Sequence, residues 1–293
     1  MIDIVPLISG TEAGPLGIVH LPRLWLKLLL AEAGRLPEGY RHGSGGTDEG
    51  VLDFLGISAK QMLALIASEK PDYLELERWV RGHARDLAPE AIERFNLATV
   101  TFDMPEPRLS EWRERFGITD PAITKAVMLN QLDDWEAFAA SVESGAGTIV
   151  PAISTSVVGP LGVMHLPRLW AKVLLFGAGR LPEEYRHGVG GFDMVFLASF
   201  GIDHDAFHTY VVSEKPAYLA LEAWVTANAK SLDAGTIKTF NDRMRAANMP
   251  PATLEGVHAR LAILDASFTN GIMLNDLDDW HSLHASITAT PQP

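Results

Sequence analysis

In each half of this chain a histidine, an arginine and a lysine stand three and four residues apart: His20, Arg23 and Lys27, then His165, Arg168 and Lys172. On a helix these positions share one face. A histidine beside two cations suits a carboxylate or other oxyanion, with arginine as a bidentate clamp and the imidazole as acid or base. The plainer alternative is a capping histidine with structural ion pairs to acidic helices. A second constellation follows closely. Tyr40-Arg41-His42-Gly43 runs into Gly45, Gly46 and Asp48, and Tyr185-Arg186-His187-Gly188 runs into Gly190, Gly191 and Asp193. Glycines let backbone approach a ligand, and a Tyr-His pair supplies groups for proton transfer near neutrality. The alternative is a turn needing positive φ, with the aspartate capping the next helix. Because both halves keep Tyr, Arg, His and Asp here, this loop is the preferred site. His42 and His187 would be the acid/base groups, Tyr40 and Tyr185 donors, and Asp48 and Asp193 their partners. His20, Arg23, Lys27 and Arg41, with His165, Arg168, Lys172 and Arg186, would hold the substrate.

Other candidates have stronger plain readings. Asp133-Asp134 and Asp278-Asp279 could bind a metal or work as acid and base, but two acids in a first helical turn ordinarily complement the helix dipole. Lys70 and Lys215, each before a proline, read as turns. His204 and His208 lie four apart and His281 and His284 three apart, spacings that can ligate a divalent metal. Copy one has Ala59, Leu63, Glu136 and Ala139 there, and surface histidines are the default, so no metal or cofactor is expected. Trp25, Trp79 and Trp135 return as Trp170, Trp224 and Trp280 and read as packing residues. Trp112, replaced by Val257, could line a pocket in one copy only. No phosphate loop, dinucleotide fingerprint, serine elbow or kinase motif is present.

These pairings arise because the chain is a tandem duplication with a constant register. Val5-Pro6 returns as Val150-Pro151, Gly14-Pro-Leu-Gly17 as Gly159-Pro-Leu-Gly162, His20-Leu-Pro-Arg-Leu-Trp25 as His165 to Trp170, and Leu132-Asp-Asp-Trp135 as Leu277 to Trp280. Identity is densest from Gly14 to Asp48 and sparse from Arg81 to Val127. The positioning elements read as helices. Pro22 suits a first turn, with Leu24, Leu28 and Ala31 continuing a stripe. Thr47 and Ser58 suit N-caps, and Gly56 ends the helix between them. Pro71 opens a helix carrying Leu74, Trp79 and Val80, Pro89 to Phe102 forms another, and Asn130 or Gln131 opens the last. Alternating strand patterns are nearly absent. The expectation is an all-α chain of two homologous modules, residues 1–143 and 149–293, with six or seven helices each, a linker at 144–148, and a pseudo-twofold packing like a fused homodimer.

The run from Gly14 to Asp48 resembles a bacterial family known only as a domain of unknown function, number 5069. The matching features are Leu16-Gly17, His20 to Arg23, Leu36 to His42, Gly45-Gly46 with Asp48, and the acidic segment Leu132 to Trp135. Copy two adds Pro182-Glu-Glu-Tyr185 and Gly191-Phe-Asp193. The resemblance extends over each module and implies a small, mainly helical domain without implying any activity.

Composition bounds the rest. The 293 residues are 47% hydrophobic and 21% charged, with a net charge of −13 and no cysteine. Thiolate chemistry and disulfides are excluded. A strongly acidic chain with no basic cluster disfavours nucleic acid and anionic membranes. No apolar run is long enough to span a bilayer, and the start at Met1 lacks a leader pattern. A cytoplasmic protein, a monomer or homodimer, acting on a small anionic or aromatic molecule is the expectation. Cofactor-independent proton transfer (lyase, isomerase or hydrolase) leads, and a non-catalytic ligand-binding or interaction module is the alternative.

Overall fold

A computed structural model of the chain describes residues 3–143 and 147–289. The linker placed at 144–148 therefore lies largely outside the described residues, as do Met1, Ile2 and the last four positions. The described residues form fourteen α-helices and no strand, seven helices from each copy.

In copy one these are α1 (Leu21–Glu32), α2 (Gly46–Leu55), α3 (Ala59–Glu69), α4 (Tyr73–His83), α5 (Pro89–Thr101), α6 (Arg108–Phe116) and α7 (Ala126–Val142). Copy two repeats them as α8 (Leu166–Gly177), α9 (Gly191–Phe200), α10 (His204–Glu214), α11 (Tyr218–Asn228), α12 (Ala234–Arg245), α13 (Pro251–Arg260) and α14 (Gly271–Thr288). Local rules explain most boundaries. Pro22 sits in the first turn of α1, where its missing N–H costs no hydrogen bond. Ser58 and Gln61 form a reciprocal capping box at α3, and Gly56 closes α2 in the left-handed region. Two expectations shift. Gly45, not Thr47, precedes α2. The last helix of copy one begins at Ala126 rather than Asn130. Asp133 and Asp134 consequently lie in mid-helix, where the dipole argument does not apply. Lys70 and Lys215 are left-handed C-caps of α3 and α10.

α1 and α8 are the central helices. Every residue from Leu21 to Leu30 is buried, including Arg23 and Lys27, and so is every residue from Leu166 to Leu175. A helix buried all round must satisfy its cations internally, and the candidate site grows from that requirement. The apolar cores are exchanged between copies. Trp280, Leu277 and Leu283 of α14 join the core around α1 and α4, while Trp135, Leu132 and Phe138 of α7 join the core around α8 and α11. Trp280 meets Tyr73 edge-on at 4.6 Å, and Trp135 meets Tyr218 at 4.2 Å. The paired tryptophans Trp25, Trp135, Trp170 and Trp280 are fully buried packing residues.

Among the described residues no single helix is long and apolar enough to cross a membrane. The bent pair α2 and α3 passes by composition alone, and its Val51, Leu55, Met62 and Ile66 are core residues.

Candidate functional site

Two ion clusters project from α1 in copy one. Lys27 Nζ donates to both oxygens of Asp48 at 2.6 and 2.7 Å. Asp48 also accepts from His20 Nε2 at 2.8 Å and from the Gly43 amide at 3.1 Å. One helical turn away, Arg23 donates to the carbonyls of Pro6 and Ile8 and pairs with Asp134 at 2.7 Å. Tyr40 Oη donates to the same aspartate at 2.9 Å. The backbone sets this up. His20 precedes α1 with φ of 69°, a conformation uncommon outside glycine, and its ring thereby meets Asp48 in the first turn of α2. The Gly43–Gly46 loop, with positive φ at Gly43, Gly45 and Gly46, lets the chain wrap Asp48 closely enough for the Gly43 amide to bond its side chain.

Copy two repeats both clusters. Lys172 and His165 hold Asp193 at 2.5 and 2.7 Å. Arg168 and Tyr185 hold Asp279 at 2.5 and 2.8 Å.

Electrostatics assign the protons. Burial lowers His20 to about 4, with Lys27 and Arg23 working in the same direction against the opposing pull of Asp48. At neutral pH the ring is therefore uncharged. Burial by itself would raise the Asp48 carboxyl, but the His20 hydrogen bond and the Lys27 charge hold it down at about 2. An ionised carboxylate can only accept, so His20 Nε2 carries the proton and Nδ1 carries the lone pair. Burial and the Asp134 charge push the Tyr40 hydroxyl upward, which keeps it a hydrogen-bond donor and not a base. Burial lowers Lys27. His165 is likewise lowered to about 4, chiefly by burial.

The copy-one clusters lie at the base of a cleft of about 1000 Å³. His20, Arg23, Lys27, Tyr40, Asp48 and Asp134 form its polar side. Phe95, Ala98 and Phe102 of the α5 segment, with Met104 and Val127, form an apolar side. Arg41 and Arg108 stand at the rim; Arg108 stacks over Trp112 at 4.4 Å. Trp112, which the sequence suggested as a pocket residue, instead supports a lining arginine. Asp133 also lines the cleft but faces outward to Arg115 at 2.7 Å, exposed to solvent.

The structure thus brings together most of the residues singled out from sequence and separates one. His42 is exposed, lies outside the cleft lining, and its ring reaches only the Tyr40 carbonyl at 3.4 Å. Its counterpart His187 stacks on Phe176 at 3.6 Å and pairs with His208 at 3.1 Å. Arg186 folds back over Gly190 as Arg41 does over Gly45. Sequence reasoning missed Asp134 and Asp279 as the partners of Arg23 and Arg168. The available signal is their retention in both copies, which a helix start at Asn130 hides by making the acids complements of the helix dipole. His204 donates to Asp205 at 2.8 Å, and His284 donates to the Lys70 carbonyl at 2.7 Å. Among the described residues no group of three His, Asp or Glu side chains is placed to hold a metal ion.

The Gly14-Pro-Leu-Gly17 repeat has a different job. Both oxygens of Glu77 accept from the Leu16 amide at 3.0 Å, and Tyr73 Oη donates to the same carboxylate. A Cβ on Gly14 would stand 2.2 Å from the Tyr73 ring, and on Gly159 2.3 Å from Tyr218. Close approach, and not ligand binding, requires glycine there.

The sequence pattern of one family, described as a domain of unknown function (DUF5069), matches residues 14–134 and again 156–278. The two matches together cover more than half of the chain and include every ionisable side chain of both clusters in copy one, though not Pro6 and Ile8, whose carbonyls accept from Arg23. In copy two the match ends one residue before Asp279. No curated protein matches the chain.

Proposed function

Taking the chain as what the two matches make it, a tandem member of the DUF5069 family, we propose that its copy-one cleft is the active site of a cofactor-independent enzyme. The enzyme moves a proton on a small molecule. The observation that carries this reading is the state of His20. It is neutral, its Nε2–H is fixed by Asp48, and its Nδ1 is buried with no hydrogen-bond partner. An imidazole whose tautomer is set by a carboxylate is the arrangement a general base needs. His20 takes a proton from the bound molecule at Nδ1. The imidazolium that forms is stabilised by the Asp48 charge. The same proton then returns to another atom of the substrate, as in an isomerase, or to a leaving group, as in a lyase.

The other residues take roles by geometry. Lys27 and Arg23 are positioning residues, because their donors are taken up by Asp48, Asp134 and two carbonyls. Arg41 and Arg108 form no ion pair with any described residue, and they are the rim cations left for an anionic substrate. Phe95, Phe102 and Met104 take its apolar part. His42 falls out of the chemistry.

Carbon-bound proton transfer can be tested before the substrate is known, because it exchanges hydrogen with solvent. Small carboxylates incubated with the protein in heavy water should incorporate deuterium, followed by NMR. His20→Gln should slow exchange by at least about 100-fold, while His42→Ala should leave it unchanged. The exchange rate should fall with acid around pH 4 as His20 protonates. Exchange that survives His20→Gln overturns the assignment. The complete pairing of Lys27 and Arg23 favours one second reading, a non-catalytic binding module. Ligand binding with no exchange for any carboxylate would select it.

A further inference from the structure

The two copies treat the same imidazole differently. In copy two, Thr155 Oγ1 stands 3.0 Å from His165 Nδ1, and His165 Nε2 stands 2.7 Å from Asp193. Asp193 is held ionised, well below the usual carboxylate range, by the His165 hydrogen bond and Lys172 against the effect of burial. Nε2 must therefore donate to it, Nδ1 must accept, and the Thr155 hydroxyl donates. Thr155 is 1% exposed, so the whole chain of hydrogen bonds is sealed.

Copy one has Gly10 at the position of Thr155, and the change acts directly on the ring. A Cβ on Gly10 would stand 3.0 Å from His20 Nδ1 and 3.5 Å from Val127, and Val127 lines the cleft. Gly10 itself is half-buried, where Thr155 is buried. Nothing in copy one replaces the lost hydroxyl, since His20 Nδ1 is without a partner. Leaving a buried acceptor unsatisfied is costly unless something else satisfies it.

The rim differs as well. Arg108 of copy one is Thr253 in copy two, and Trp112 beneath it is Val257, while the lining Ala98 of copy one is Arg243 in copy two. Copy one therefore leaves the buried Nδ1 of its imidazole without a partner and carries a cation at Arg108, whereas copy two has its own hydroxyl on the imidazole and carries a cation at Arg243 instead.

We infer that Thr155 is a built-in surrogate for the ligand: copy one binds a hydroxylated carboxylate whose O–H donates to His20 Nδ1, as the Thr155 hydroxyl donates to His165, and copy two is closed to it. The ligand's carboxylate meets Arg41 and Arg108, and an apolar or aromatic body lies on Phe95, Phe102 and Met104. Gly10 is then the specificity-determining residue that distinguishes the copies. This rests on His20 being the functional base, and it goes further by naming the ligand class and the one copy that takes it.

The test uses the full chain labelled with 15N-histidine and two probes that differ by one hydroxyl, mandelate and phenylacetate. Mandelate should move the His20 Nδ1 resonance toward the value His165 Nδ1 shows in the free protein, and phenylacetate should not. Mandelate should bind about tenfold tighter, the effect of one good hydrogen bond. His165 should respond to neither. Gly10→Thr should give free His20 the His165-like resonance and reduce mandelate to the affinity of phenylacetate. Equal responses to both probes, no response of His20 to mandelate, or a response of His165 would overturn the inference while leaving His20 available as a base. A proton on Nδ1 of His20 in the free protein would instead overturn the base itself, and with it the proposed function.

Discussion

At the scale of single residues, the proposed chemistry turns on one buried imidazole in an unusual backbone conformation. His20 and His165 share positive φ, near 70° in both, which costs of order 1–3 kcal/mol for a residue with a Cβ. The hydrogen bond to the aspartate and the burial of the ring hold them there. The lowered His20 value has a definite consequence for stability. The unfolded chain binds a proton at His20 below about pH 6.5, whereas the fold resists it until about 4. Between these values the unfolded state binds more protons, so the contribution of His20 is full above pH 6.5 and is lost as pH falls toward 4. The difference in unfolding free energy between wild type and His20→Gln, measured by denaturant titration from pH 7 to 4, should shrink by about 3 kcal/mol. Glutamine keeps a donor for Asp48 and does not titrate. A flat difference profile would mean that His20 is not held neutral by the fold. The types of these residues and their helical spacing were legible from sequence. Their partners were not, because Asp48 lies 28 residues from His20 and Asp134 lies 111 from Arg23, and no local pattern encodes such a pair.

At the scale of elements, what could be read in advance followed short-range rules. The N-terminal prolines of α1 and α5, the capping box of α3 and the glycine that ends α2 are each decided within a turn of chain. The start of α7 is not legible locally because Lys125 offers no side-chain cap; its first turn is fixed by the Ala126 amide bonding the Phe102 carbonyl, a tertiary contact. The repeat also concentrates identity where close packing and not chemistry requires it. Gly14 packs its α-carbon against Tyr73, which together with Glu77 ties the 14–17 turn to α4. Gly14→Ala should therefore destabilise the protein by about 1–3 kcal/mol, the usual effect of forcing a methyl into a packed site, and chemical denaturation would show it. A neutral Gly14→Ala would mean that the turn moves freely and that its retention in both copies has another cause. Glu222, the copy-two equivalent of Glu77, is raised to about 7 by burial. Its contribution runs opposite to that of His20, being lost as pH rises through 7.

At the scale of the whole molecule, the duplication repeats both ion clusters but does not make two independent bodies. Each last helix serves both copies at once. Asp134 of α7 faces Arg23 of its own copy, while Trp135, one residue on, packs beside Trp170 and Tyr218 of the other. α14 does the reverse, with Asp279 on Arg168 and Trp280 on Tyr73. The exchange is therefore reciprocal: each copy completes the core of the other. It also means that residues 1–143 on their own would lack the α14 side chains that complete their core. Leu274, Leu277, Trp280 and Leu283 are all 3% exposed or less, and leaving each in water costs about 1.5–3 kcal/mol, enough in sum to unfold a marginal domain. The chain carries its own substitute. Leu129, Leu132, Trp135 and Phe138 of α7 occupy the same repeat positions, and among these four only Phe138 for Leu283 changes volume. Elsewhere in that core the exchange would set Trp112 for Val257, Phe116 for Leu261 and Leu7 for Ala152, overpackings of about 1–3 kcal/mol each. The four α7 side chains are the apolar surface that residues 1–143 have to offer in place of α14, so two copies of 1–143 should exchange α7 and form a homodimer, less stable than the full chain. Light scattering after size exclusion should give twice the chain mass, and the melting temperature should rise with protein concentration. A folded monomer of 1–143 would show that the exchanged helices are dispensable to each core.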